Sequence, residues 1–265
     1  ATGWQAKRNY GVMMAEKVTI GNCELWHGDC MEYMRGLPDK AFDLAIVDPP
    51  YGIGVAALNF GARDVKNESC DGKQWDNTTP PDEYFAELER VSVDRIIWGA
   101  NYFNCFSNKH GAIIWDKQNP MPTSSQCEIA SYSKHQRVAY YRQTWTNYVN
   151  TKATTHPTEK PVKLYEWLLT NYAKPGQRIL DTHLGSGSSA IACNNMGFEM
   201  VGCELDADYY AAACKRIKQA AAQPRLFEDA PVGAGDTAVQ GDMLLPANAK
   251  VTGSPALSAS PSGLP

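Results

Sequence analysis

The stretch QRILDTHLGSGSSAIACNNMGFEMVGCELD, residues 177–206, reads as strand, glycine turn, helix and strand in one pass. RILD is apolar and short, the glycines break it, SSAIACNNMG is helical up to Gly197, and EMVGCELD is again apolar and strand-like. Two strands joined through a helix of this length imply a parallel pair with a crossover, the unit of an α/β fold. The turn also carries chemistry. Gly185 and Gly187 allow backbone to come close to a ligand, and Glu204 at the end of the next strand is placed to accept hydrogen bonds from ribose hydroxyls. An adenosine-type ligand follows, although Gly185-x-Gly187-x-x-Ala190 alone also suits a nicotinamide dinucleotide. A Walker-type phosphate loop is excluded, because no lysine follows the glycines. Asp181, just before the turn, suits a ligand ammonium, which favours S-adenosylmethionine over a dinucleotide.

Working outward, the same alternation continues in both directions. CELWHGD (23–29), FDLAIVDPP (42–50), DRIIWGA, GAIIWDK, CEIASYS and RVAYYRQTW read as strands. PDEYFAELERV (81–91), PVKLYEWLLTNYA (161–173) and ADYYAAACKRIKQAAA read as amphipathic helices. A doubly wound, mostly parallel sheet covered on both faces is the expected fold. Residues 1–17 form an N-terminal extension and 18–224 one domain. From 225 to 265 the chain is rich in Ala, Gly, Pro and Ser, and is expected to be a disordered tail.

The chain has 265 residues, 43% of them hydrophobic, with a net charge of −4. No apolar run approaches the roughly 20 residues of a bilayer span, and no N-terminal segment resembles an export signal, so a cytoplasmic location is expected. The eight cysteines include no C-x-x-C pair and no zinc spacing, so no metal is expected. Between Cys105 and Lys163, eight Lys/Arg (Lys109, Lys117, Lys134, Arg137, Arg142, Lys152, Lys160, Lys163) face three acids. With Tyr132, Tyr140, Tyr141 and Trp145 among them, on two hairpin-like strands, this segment suits DNA phosphates and bases.

The more specific motif is Asp48-Pro49-Pro50-Tyr51, which follows the apolar run LAIV and so falls at the carboxyl edge of the sheet. An exocyclic amine on a base is a poor nucleophile, since its lone pair is delocalised into the ring. The Asp48 carboxylate and the Pro49 carbonyl, each accepting one amine hydrogen, would favour a pyramidal nitrogen with an available lone pair. The prolines fix φ and remove competing N–H donors, and Tyr51 offers a ring face for a base drawn from its stack.

DPPYG, HPTEKPVKLYEWLL, ILDTHLGSGSSAIA and VGCELDADYYAAACKRI, in that order, resemble the DNA amino-methyltransferases of the permuted group, in which the catalytic motif precedes the cofactor motif. The resemblance implies a seven-stranded S-adenosylmethionine-dependent methyltransferase fold, with Asp48, Pro49, Pro50 and Tyr51 as catalytic residues. It further implies a cofactor set of Asp29, Cys30, Asp48, Thr158, Lys160, Asp181, His183, Gly185, Ser186, Gly187, Glu204 and Leu205. Thr182 and His183 depart from the proline and aromatic residue common there, and His183 is read as structural. Residues 118–155 would hold a short target-recognition segment. Double-stranded DNA with a flipped base is the expected substrate, and a homodimer is compatible with the reading.

Methylation of cytosine at C5 is excluded, since no Pro-Cys dipeptide supplies its cysteine nucleophile. Asp48 favours adenine N6 over cytosine N4, whose enzymes often carry serine there. A dehydrogenase would leave DPPY and HPTEKP unexplained, and a catalytically silent DNA-binding module would leave Asp48 and Tyr51 so. The aperiodic loop from Gly52 to about Thr79 is expected to order over the site, with Phe60 or Trp75 covering it when DNA and cofactor bind.

Overall fold

A computed structural model of the chain describes residues 16–54, 76–106, 109–118, 125–134, 137–144 and 159–223. Thr158, Phe60, Trp75, Trp145, most of the 52–79 loop and the 225–265 tail lie outside the described residues. The elements run β1 (Glu16–Ile20), β2 (Cys23–His27), α1 (Cys30–Arg35), β3 (Phe42–Val47), α2 (Asp82–Val91), β4 (Ser92–Trp98), β5 (Gly111–Asp116), β6 (Cys127–Tyr132), β7 (Val138–Arg142), α3 (Val162–Tyr172), β8 (Arg178–Asp181), α4 (Ser188–Met196), β9 (Glu199–Glu204) and α5 (Ala207–Ala221).

One sheet takes the order β1-β2-β9-β8-β3-β4-β6-β5-β7. The resemblance implied seven strands; β1, not read from the sequence, and β7, read as a strand, are the two edges of this larger sheet. β2, β9, β8, β3 and β4 are mutually parallel, whereas β6 runs antiparallel to both β4 and β5. CEIASYS and RVAYYRQTW do not form the expected hairpin: β5 lies between their strands, paired antiparallel to β6 and parallel to β7. Both strands are members of the main sheet.

Alternating side chains explain why the strands are apolar throughout. Leu44, Ile46, Ile96, Trp98, Ile179 and Met200 enter one core with residues of α3, α4 and α5, including Leu164, Leu168, Ala190 and Ile217. Ala45, Val47, Ile97, Leu180 and Val201 enter the other with Met31, Met34, Tyr84, Leu88 and Val91 of α1 and α2. A sheet buried on both faces has no polar side to alternate with.

β3 and β8 are neighbours, but β3 leads through α2 to β4 on one side and β8 leads through α4 to β9 on the other. The two crossovers therefore diverge from a switch point between Asp48 and Asp181, where open α/β sheets leave a crevice at their carboxyl edge. Parallel pairing brings the other strand ends to the same edge: His27 is in register with Glu204, and Val47 with Ile97.

Local chemistry fixes the helix starts there. Asp206 accepts hydrogen bonds from the backbone N–H groups of Asp208 and Tyr209 at the start of α5. Gly187 begins α4 at φ 78°, and a Cβ built on it would lie 2.8 Å from Ile217 Cδ1. Replacing Gly187 with Ala should therefore lower stability by about 1–3 kcal/mol through backbone strain plus this clash. In an Ile217→Ala background the loss should shrink, as measured by a denaturant double-mutant cycle. A coupling near zero would contradict the contact.

Candidate active site

Asp48 follows β3, and its carboxylate is already engaged on both oxygens. The Tyr51 hydroxyl donates to Oδ1 at 2.6 Å, and Lys160 Nζ donates to Oδ2 at 2.5 Å and to the Tyr51 oxygen at 3.2 Å. The Lys160 side chain is 3% exposed. Its ammonium also lies 3.0 Å from Glu128 Oε2 on β6, an ion pair outside hydrogen-bond geometry, while Lys117 donates to Glu128 Oε1 at 2.7 Å. Two carboxylates and two ammonium groups thus form a compact, formally neutral cluster beside the Asp48–Tyr51 turn.

The electrostatics follow from the placement. Burial raises the pKa of Asp48, with the Glu128 charge adding to the effect, while Lys160 and the Tyr51 hydroxyl pull against it. Burial likewise works against the charge on Glu128, but Lys160 and Lys117 outweigh it and hold that carboxyl at about 2. For Lys160, the two carboxylates overcome burial and keep the ammonium protonated.

Asp76 fixes the turn from its other side. Buried at 2% exposure, it accepts hydrogen bonds on Oδ1 from the Tyr51 N–H at 2.7 Å and the Gly52 N–H at 3.0 Å, and its carbonyl accepts from Gly54. The Tyr51 ring stacks on Tyr102 with centroids 4.9 Å apart and 16° between planes. Gly99 lies so close that an added Cβ would fall 2.2 Å from Tyr51 Cε1. A ring expected to receive a base is thus packed on one of its own neighbours.

Across the switch point lies the glycine turn. Asp181 accepts from the Ser189 hydroxyl at 2.6 Å and the His183 N–H at 3.0 Å, and burial lifts its carboxyl to about 6 despite both donors. Glu204 accepts from the Gly185 N–H at 2.8 Å and the Asp206 N–H at 2.9 Å; burial raises it to about 7. Gly28 donates to the Glu204 carbonyl, and Asp29 caps α1 by accepting from Met31 N–H. Leu205 stands 68% exposed beside Glu204.

Cys30, Met31, Pro50, Thr78, Pro80, Pro81, Tyr84 and His183 line a mainly apolar cavity between these groups. His183 packs edge-on against Tyr84, 5.4 Å between centroids, so its ring fills the place an aromatic residue would take. The Thr182 hydroxyl bridges the Tyr84 hydroxyl at 2.6 Å and His183 Nδ1 at 2.9 Å. Burial pushes His183 down to about 4, so its imidazole is neutral and suited to packing rather than to proton transfer near pH 7.

The structure thus brings Asp48, Tyr51, Lys160, Asp181, Glu204 and the glycine turn to one edge of the sheet. Lys160, expected on the cofactor side, pairs with Asp48. The basic segment is less free for DNA than its local count suggests: Lys117, Lys134, Arg142, Lys160 and Lys163 all pair with acids, several of them from outside the segment. Tyr132 is buried at 3%, whereas Tyr140 is 52% exposed. Glu128, Asp76 and Tyr102 were not foreseen. Only Glu128 left a signal, as the one charged residue in the run CEIASYS.

Residues 92–215 match the N6_N4_Mtase family, described as DNA methylase. Among its relatives, the type II methyltransferase M2.DpnII of Streptococcus pneumoniae is 24% identical, the alignment covering 73% of this chain and 89% of that protein. The putative methylase YubD of Escherichia coli (strain K12) is 25% identical over 72% of this chain and 88% of its own. Among solved structures, the M1.HpyAVI–SAM complex is 21% identical with a TM-score of 0.49, covering 73% of this chain and 99% of that one. The cytosine-N4-specific PvuII DNA methyltransferase is 13% identical with a TM-score of 0.48, covering 77% and 92%. The matched segment and these relatives thus make the chain similar to the DNA N6/N4 amino-methylases.

Proposed function

We propose that the protein transfers a methyl group from S-adenosylmethionine to the 6-amino group of adenine in double-stranded DNA, on a base flipped out of the helix. The observation that carries this reading is the Asp48 carboxylate at the end of β3, mostly buried and paired with Lys160. A carboxylate has about four lone-pair positions, so Asp48 can accept an amine hydrogen while retaining Tyr51 and Lys160. The Pro49 carbonyl offers the second acceptor. As the N–CH3 bond forms and the methyl–sulfur bond breaks, the amine nitrogen gains positive charge beside Asp48, which stabilises it and stands first in line for the departing proton.

Bound S-adenosylmethionine supplies an electrophilic methyl group on a sulfonium centre. The residues present fit it. Glu204 would hold the ribose hydroxyls, Asp181 and the Gly185–Ser186–Gly187 turn the amino-acid end, and the cavity of Cys30, Pro50, Tyr84 and His183 the apolar adenine face. Leu205, with most of its surface exposed beside Glu204, would gain cover from that ligand. A dinucleotide would leave the paired Asp48 and Lys160 without a role.

Replacing Asp48 with Ala should abolish methyl transfer while changing cofactor affinity only a few fold, because the lost acceptor faces the base. The check is calorimetry alongside mass analysis of nucleosides from treated DNA. N6-methyladenine in the wild-type digest supports the reading, N4-methylcytosine moves it to cytosine, and near-normal turnover by the variant would sink it.

The Lys160 pair makes a second prediction. Turnover needs ionised Asp48, so it falls as pH drops through that pKa. Burial and Glu128 push the pKa up and Lys160 pulls it down; Lys160→Met should therefore move the acid limb of kcat to higher pH by about 1–3 units. Cofactor affinity should stay within a few fold. An unmoved limb with weakened cofactor binding would return Lys160 to the cofactor side.

A further inference from the structure

Glu159 and Lys160 are adjacent in the chain but tied to opposite halves of the site. Pro161 follows them, which biases the preceding residue toward extended backbone, where successive side chains point to opposite sides. Lys160 reaches Asp48 and Glu128. Glu159, its side chain 5% exposed, instead pairs through Oε1 with Arg216 Nη2 at 2.8 Å.

Arg216 lies on α5, near the end of the stretch VGCELDADYYAAACKRI, and the sequence reading gave it no role. Its Nη1 donates to the Ser186 carbonyl at 2.8 Å, to Ser186 Oγ at 3.2 Å and to Ser188 Oγ at 2.9 Å. Ser186 and Ser188 are both buried, and the next α5 residue, Ile217, closes on Gly187. One guanidinium therefore grips the glycine turn with one nitrogen and the Glu159–Lys160 segment with the other. A planar fork can satisfy both directions at once, whereas an ammonium on a flexible stem cannot hold the same geometry.

We infer that Arg216 is a positioning residue that keeps the glycine turn and the Lys160-bearing segment in one register, so that the methyl donor and the catalytic carboxylate stay aligned. The inference rests on the roles proposed for Asp48 and the glycine turn. Alignment matters because a misplacement of about 1 Å can lower a transfer rate on the order of a hundredfold.

The test is Arg216→Lys in the full chain, with S-adenosylmethionine affinity read by calorimetry and kcat read by methyl transfer to DNA at saturating cofactor. Affinity should weaken about tenfold, and kcat should also fall by about tenfold or more, since saturation restores occupancy but not register. Weakened affinity with unchanged kcat would confine Arg216 to propping the glycine turn and would overturn the inference, as would no change in either. Should the lysine variant fail to fold, the double replacement Glu159→Gln/Arg216→Met removes both charges and orphans neither; the same loss in both parameters is expected, and its absence counts against the inference equally. Asp48→Ala, assayed alongside, separates the two claims. Normal turnover there would indict the catalytic assignment, while an inert Asp48→Ala beside a fully active Arg216 variant would indict the clamp alone.

Discussion

Asp48 sits at the end of an apolar strand, where much of the water that would solvate its charge is excluded, and Glu128 places a second negative charge in the same space. Left alone, such a carboxylate takes up a proton and ceases to be an acceptor for amine hydrogens. Lys160 opposes this by donating to Asp48 directly. Lys117 balances the charge of Glu128, so the cluster needs no counter-ion from solvent. A buried ion pair adds little net stability against an apolar packing of similar shape, so its presence here is better explained by what the charge does.

The fold supplies the place for that cluster without strain. Because β3 and β8 send their crossovers in opposite directions, the edge between them is left open, with Asp48 on one lip and Asp181 on the other. The segment just before α3 spans the gap, its Lys160 on the Asp48–Tyr51 turn and its Glu159 on Arg216 behind the glycine turn. Asp76 and Gly99 then fix the orientation of Tyr51, from the backbone and from the ring respectively.

Much of this was legible in the chain itself. Strand–helix alternation, continuous apolar strands and the two motif-bearing turns carry the parallel sheet, because local patterning and tertiary burial agree over residues 177–206. Asp48, Asp181, Glu204 and the glycines could be placed at strand ends from neighbouring residues alone. Contacts between distant residues were not readable in this way. Lys160 and Asp48 are 112 positions apart, and Arg216 and Ser186 are joined only once α5 packs back on α4. The basic segment misled for the same reason: a local charge count cannot register Asp94 and Asp48, which pair with Lys134 and Lys160 across the fold. The order of β6, β5 and β7 also escaped, since sequence adjacency favours a hairpin and the sheet inserts β5 between the two strands.

The central claim is that Asp48 receives the target amine while remaining paired with Lys160. A crystal structure of the protein with a non-transferring S-adenosylmethionine analogue and a duplex carrying its methylation site tests it most directly. The account predicts the target amine nitrogen within about 2.6–3.2 Å of both the Asp48 carboxylate and the Pro49 carbonyl. Lys160 should still lie on the second Asp48 oxygen. A base seated elsewhere, with Asp48 held only by Lys160 and Tyr51, would contradict it.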